Sequence, residues 1–117
     1  MKFNPENSDY TIGALSSLKD AMEKITANHR GSVVVVSDDL LVLGVLSDGD
    51  IRRAMVKGAT MFMPVEKAMN PNFVSTGNDG KDREEILANH PNINLVPVVD
   101  GANTLVDLVI RGGEYKG

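Results

Sequence analysis

The sequence predicts a mixed α/β (α+β) protein in which one helix-and-strand unit is used twice. Three observations carry this. Ala27-Asn28-His29 and Ala88-Asn89-His90 lie 61 residues apart, and each closes a helical stretch, Leu18 to Thr26 and Arg83 to Leu87. Each is followed by a run of short apolar residues, Val33 to Val36 and Val96-Pro97-Val98-Val99, now 63 apart. Each run meets an acidic turn, Ser37-Asp38-Asp39 or Asp100-Gly101-Ala102-Asn103, which opens a further apolar run, Leu41 to Leu46 or Leu105 to Ile110. The second unit therefore carries two extra residues near Pro91-Asn92.

Within the first unit, Leu15, Leu18, Met22 and Ile25 recur at helical spacing. Ser16 or Ser17 is placed to cap that helix. The valine run is β-branched and does not alternate with polar residues, so it reads as a strand buried on both faces. The acidic turn makes a hairpin with the next strand, and Asp100-Gly101 is a good turn signal in the second unit. Ser47-Asp48-Gly49-Asp50 starts a second helix, Ile51 to Lys57, which Gly58 stops. Met61 to Pro64 is a connector, Val65 to Met69 a short helical turn, and Pro71 ends it. Phe73 to Thr76 reads as a short strand leading into the second unit.

Composition bounds what such a protein does. Of 117 residues, 42% are apolar and 24% charged, enough for one folded core and too apolar for disorder. Sixteen acidic against twelve basic residues leave a net charge of -4, which argues against a nucleic-acid partner. Three Phe, two Tyr and no Trp supply no stacking platform for bases along a strand. With no cysteine, thiolate metal sites, disulfides and cysteine nucleophiles are excluded. The longest apolar run falls far short of the ~20 residues of a membrane span. Met1 to Asp9 is polar, without the apolar region of a signal peptide, so a cytoplasmic protein is expected.

The order and spacing of several strings resemble a known family. Val33-Val34-Val35-Val36, Gly44-Val45-Leu46-Ser47-Asp48-Gly49-Asp50-Ile51-Arg52-Arg53, Val65-Glu66-Lys67-Ala68-Met69 and Val96-Pro97-Val98-Val99-Asp100 together resemble a tandem pair of CBS domains, a Bateman module. The resemblance covers roughly Leu15 to Ile110. It implies two β-α-β-β-α units packed sheet to sheet around a pseudo-two-fold axis. Residues 1–64 would be the first motif with a polar N-terminal segment, and 65–117 a second, C-terminally truncated motif. The Ser47-to-Arg53 string, with Arg83-Glu84-Glu85-Ile86-Leu87, is most similar to CBS pairs preceding sugar-phosphate nucleotidyltransferase domains. Similar forms follow sugar-phosphate isomerase domains. Either way the resemblance implies a regulatory module, not an enzyme, whose catalytic domain lies outside this chain.

The chemistry concentrates at Ser47-Asp48-Gly49-Asp50. Ser47 is an N-cap candidate and Asp50 stands at the third helical position, close to a capping box. The same helix N-terminus also suits a phosphate, and its carboxylate suits two adjacent ribose hydroxyls. Both readings stand on the residues alone. Arg53 and Lys57 share a helix face, either solvated or, through an arginine, contacting phosphate. By resemblance, Asp50 holds ribose and Ser47 supports the phosphate end. Gly31, Ser32, Ile93 and Asn94 would enter the pocket from the strands, and Met69 and Asn70 would close over the base. The family's basic or imidazole residue is missing at Gly31-Ser32, which speaks against high phosphate affinity. The implied ligand is an adenine nucleotide (AMP, ADP or ATP) acting as regulator, with no required cofactor and no metal. In the second unit the matching positions are Asp107, Ile110 and Gly113, so at most one nucleotide per chain is expected. His29 and His90 end matching helices, where the dipole favours them. A homodimer through the helices Ile51 to Lys57 and Arg83 to His90 is expected, and a ligand-free assembly module is the alternative function.

Overall fold

A computed structural model describes residues 8–77 and 82–112. Its elements run β1 (Thr11–Gly13), α1 (Leu18–Asn28), β2 (Ser32–Val36), β3 (Val42–Ser47), α2 (Asp48–Val56), a 3-10 turn at Val65–Lys67, α3 (Arg83–Asn89), β4 (Leu95–Val99) and β5 (Leu105–Ile110). The first unit is thus β-α-β-β-α. The second contributes α-β-β within the described residues, and its expected first strand at Phe73 to Thr76 shrinks to one parallel bridge between Thr76 and Val98.

Ser17, not Ser16, caps α1: its hydroxyl accepts from the Asp20 N–H at 3.1 Å. The buried stripe of α1 is Leu18, Ala21, Ile25 and Asn28. Leu15 and Met22, expected on that stripe, are exposed, Leu15 because it precedes the helix. Gly58 ends α2 with positive φ, while the N–H groups of Gly58 and Ala59 bond back to the carbonyls of Met55 and Ala54. This is a Schellman closure, and glycine is used because it enters the left-handed region without a Cβ clash.

β2 is central. It pairs in parallel with β1 and antiparallel with β3, and β4 pairs antiparallel with β5 in a second sheet. Alternate valines of β2 serve two cores. Val33 and Val35 pack under α1 with Leu18, Ala21, Ile25, Leu46 and Ile51. Val34 and Val36 face the other sheet and meet Leu95, Leu105, Leu108 and Ile110. That division is why the run shows no polar alternation. A third cluster, Val96, Val98 and Val109, packs with Ile86 and Leu87 of α3.

The two units repeat in detail. The hairpin register slips between Val35 and Val36 in one and between Val98 and Val99 in the other. The Ser37 Oγ accepts from the N–H groups of Asp39 and Leu41, and 63 residues on the Asp100 Oδ1 accepts from those of Ala102 and Thr104. Leu40 and Asn103, equivalent in the same register, both take positive φ. No helix is long and apolar enough to cross a membrane among the described residues.

Candidate functional site

The site is built where the two units meet at the entrances to β2 and β4. Asp48 N–H donates to the Gly31 carbonyl at 2.9 Å, and Arg111 N–H donates to the Asn94 carbonyl at 2.8 Å. These pairs are equivalent under the 63-residue offset, so Gly31 and Asn94 occupy matching places in the two units. The Asn94 side chain reaches across to the Arg30 carbonyl at 3.4 Å. A cleft of about 290 Å³ opens there.

Gly31, Ser32, Ser47, Asp50, Arg53, Asn70, Ile93 and Asn94 all line this cleft. Of the expected residues only Met69 does not. It packs into the first core, because a Cβ on Gly44 would lie 2.8 Å from the Met69 Sδ and 2.9 Å from the Asn70 carbonyl. Gly44 therefore admits the connector. Asn70 is held there by mutual backbone bonds with Val45, of 2.8 and 3.1 Å.

Both readings of the Ser47–Asp50 string share one geometry. The Ser47 Oγ accepts from the Asp50 N–H at 3.1 Å, and the Asp50 Oδ2 accepts from the Ser47 N–H at 2.9 Å. This reciprocal pair satisfies two helix-end donors and fixes the carboxylate at the mouth of the cleft. The other oxygen, Oδ1, is bonded by the Arg53 Nη2 at 2.7 Å. Arg53 thus closes onto Asp50 while most of its side chain stays exposed.

Arg30 supplies the cation that is missing at Gly31-Ser32. Gly31 has φ of 77°, a conformation that disfavours any side chain, so the position itself stays bare. The neighbouring Arg30 lines the cleft instead. Its Nε is buried without a hydrogen-bond partner, and its guanidinium forms no ion pair with a described residue. A buried donor left unpaired is costly, so an acceptor entering the cleft would be favoured at Arg30. Asn28 sets this segment. Its Oδ1 accepts from the Arg30 N–H at 2.7 Å, and its Nδ2 donates to the carbonyls of Asp9 and Ser32 at 2.9 and 3.0 Å. The remaining walls are Val45, Phe73, Val74 and Leu95, with Asn72 and Asn92. The signal for Arg30 was its place directly before Gly31; nothing local in the sequence marked Asn72 or Val74.

The second unit offers no such carboxylate at the described positions. Asp107 bonds its own neighbour, its Oδ1 accepting from the Leu108 N–H, and Ile110 is buried. Gly113 lies outside the described residues. Arg111, which corresponds to Asp48, donates to the carbonyls of Leu87, His90 and Ile93, so its guanidinium caps the α3 end. No group of three or more His, Asp or Glu among the described residues is arranged to hold a metal ion.

The CBS domain family matches residues 7–57, from before β1 to the end of α2. Residues 7–57 are thus similar to a CBS domain. A similar arrangement spans most of the chain in solved structures of CBS proteins. CBSX2, in complex with AMP, superposes with a TM-score of 0.71 at 21% identity, covering 95% of this chain and 87% of that one. The CBS domain pair of MJ0100, in complex with 5-methylthioadenosine and S-adenosylmethionine, gives 0.68 at 22% identity, covering 88% and 85%. At these identities the fold is what is shared. Among curated proteins, the arabinose 5-phosphate isomerase GutQ of Salmonella typhi is 36% identical over 87 residues. That match takes in 73% of this chain and only 27% of the isomerase, so the chain spans about a quarter of that relative. GutQ is a sugar-phosphate isomerase, so this match lends no support to the nucleotidyltransferase expected from the Ser47-to-Arg53 string.

Proposed function

We propose that the chain is a regulatory module of two CBS motifs, residues 1–64 and 65–117, that binds one adenosyl nucleotide in the cleft between them. The observation that carries this is the cleft's chemistry. A fixed Asp50 carboxylate and an Arg30 guanidinium whose Nε has no hydrogen-bond partner line one space with the apolar Val45, Val74 and Ile93. That set suits a ribose diol, an anion and a base. Its size, about 290 Å³, falls at the small end of ligand pockets and fits a mononucleotide. The AMP and S-adenosylmethionine complexes of proteins with this fold support the adenosyl moiety. Ligand would favour one arrangement of the two motifs, and an attached sugar-phosphate isomerase domain would read that population.

Calorimetric titration with AMP, ADP and ATP tests this. One site per chain is expected, and Asp50→Ala should weaken binding by roughly 1.5–3 kcal/mol, as for a hydrogen bond to a charged group. Two equal sites, or unchanged affinity in the variant, would reject the assignment.

A second reading, assembly without ligand, is favoured by Val56, Phe62 and Leu15, which are 88%, 81% and 79% exposed. A homodimer would cover such side chains. Its seam would exclude Ile51, which is buried in the first core, and α3 presents the exposed charges of Arg83, Glu84 and Glu85. Absence of any nucleotide-induced shift in melting, together with dimers by light scattering, would select this reading.

A further inference from the structure

We infer that Arg53 is a latch on Asp50 that makes the cleft discriminate anionic nucleotides from uncharged nucleosides. The inference rests on the nucleotide reading above and assigns the residue that sets the ligand's charge class.

Three observations carry it. First, the Asp50 carboxylate is engaged on both oxygens, Oδ2 by the Ser47 N–H and Oδ1 by the Arg53 Nη2. A diol approaching Oδ1 therefore meets the guanidinium first. Second, the Arg53 side chain is 68% exposed against 18% for Asp50, so the covering group is the one able to move. Third, space is left for it. A Cβ on Gly49 would stand 3.2 Å from the Arg53 Nη1 and 3.5 Å from its Nη2. The guanidinium thus lies back over the first turn of α2, on the one residue there without a side chain.

Exchange of partners follows from charge. A neutral nucleoside that takes Oδ1 leaves Arg53 without an anion. A nucleotide brings its own, so Arg53 trades the Asp50 carboxylate for the phosphate, and guanidinium suits that acceptor. Arg30 lines the same cleft and has no ion pair with a described residue. It attracts the same anion without needing to release one. Arg30 supplies affinity for the anion, and Arg53 supplies the penalty against its absence.

Calorimetric titrations of AMP and of adenosine into the wild-type chain and Arg53→Ala test the latch. Wild type should bind AMP at least about tenfold tighter than adenosine, as charge-assisted bonds allow. In Arg53→Ala, adenosine should bind several-fold tighter than to wild type while AMP weakens, so the ratio collapses. A residue that only touched phosphate would weaken AMP and leave adenosine unchanged; that result overturns the latch and leaves the nucleotide site standing. If neither probe binds wild type or variant, the adenosyl reading fails and the latch with it.

Discussion

Leu41 and Thr104 face each other as an antiparallel bridge between the two units, and the chain's internal symmetry passes between them. Val42 N–H donates to the Asn103 carbonyl at 3.0 Å, and Leu105 N–H donates to the Leu40 carbonyl at 2.9 Å. Shifting either bond by 63 residues exchanges its donor unit and acceptor unit. Each unit lends the other one donor and one acceptor, so neither hairpin tip is satisfied alone. The cleft lies where the other ends of these strands begin, and its two rims inherit the same relation.

The hairpin tips solve one backbone problem with different residues. Leu40 and Asn103 have φ of 64° and 67°, and only Asn103 adds a side-chain bond, from its Nδ2 to the Val42 carbonyl at 2.9 Å. Asn103→Leu, which copies the first unit, should cost about 1–3 kcal/mol through left-handed strain and the lost bond. Urea denaturation measures it. A change below about 0.5 kcal/mol, the scatter of neutral surface substitutions, would show that the side chain contributes nothing.

Gly44→Ala tests what the connector needs. The added Cβ meets the Asn70 carbonyl, which is backbone and cannot turn aside. The variant should lose about 1–3 kcal/mol by overpacking, with weaker amide protection at Val45 and Asn70 in hydrogen exchange. Full stability with unchanged protection would mean the connector can shift without cost.

Asn28 and Asn89 share a sequence context and differ in role. Asn28 is 7% exposed and makes three hydrogen bonds, whereas Asn89 is exposed. Asn28→Ala should destabilise by at least about 2 kcal/mol, because it strands buried backbone groups at the base of Arg30. Asn89→Ala should stay within about 0.5 kcal/mol. Equal effects in thermal melts would contradict this asymmetry.

The Asp100 carboxyl is held below its ordinary value of 3.8, first by the Thr104 N–H and then by that of Ala102. Its folded pKa is the lower one, so its contribution is complete above 3.8 and is lost as pH falls through the folded value. The equivalent Ser37 does the same work without a charge. Asp100→Ser should therefore keep the turn at neutral pH and flatten this part of the acid dependence. Melting curves from about pH 6 to about pH 2 should show the wild-type advantage shrinking with acid. A constant difference across that range would exclude ionisation as the cause.

The sequence by itself determined the repeat, the strands and the capped helix. These rest on local rules: β-branched runs, a hydroxyl followed three residues later by an acid, a glycine past a helix end. It also marked eight of the residues that line the cleft, because the strand entrances and the α2 start are set by the same local signals. Only the tertiary structure decided the rest. Met69 turns into the core, Arg30 takes the place Gly31 cannot fill, and Arg53 closes on Asp50, all through contacts between segments far apart or side-chain conformations that spacing leaves open. The first strand of the second unit fades to a bridge at Thr76, since strand pairing is settled by neighbours and not by composition. Which face a residue takes follows from periodicity; which partner it meets there follows from how the two units fold onto each other.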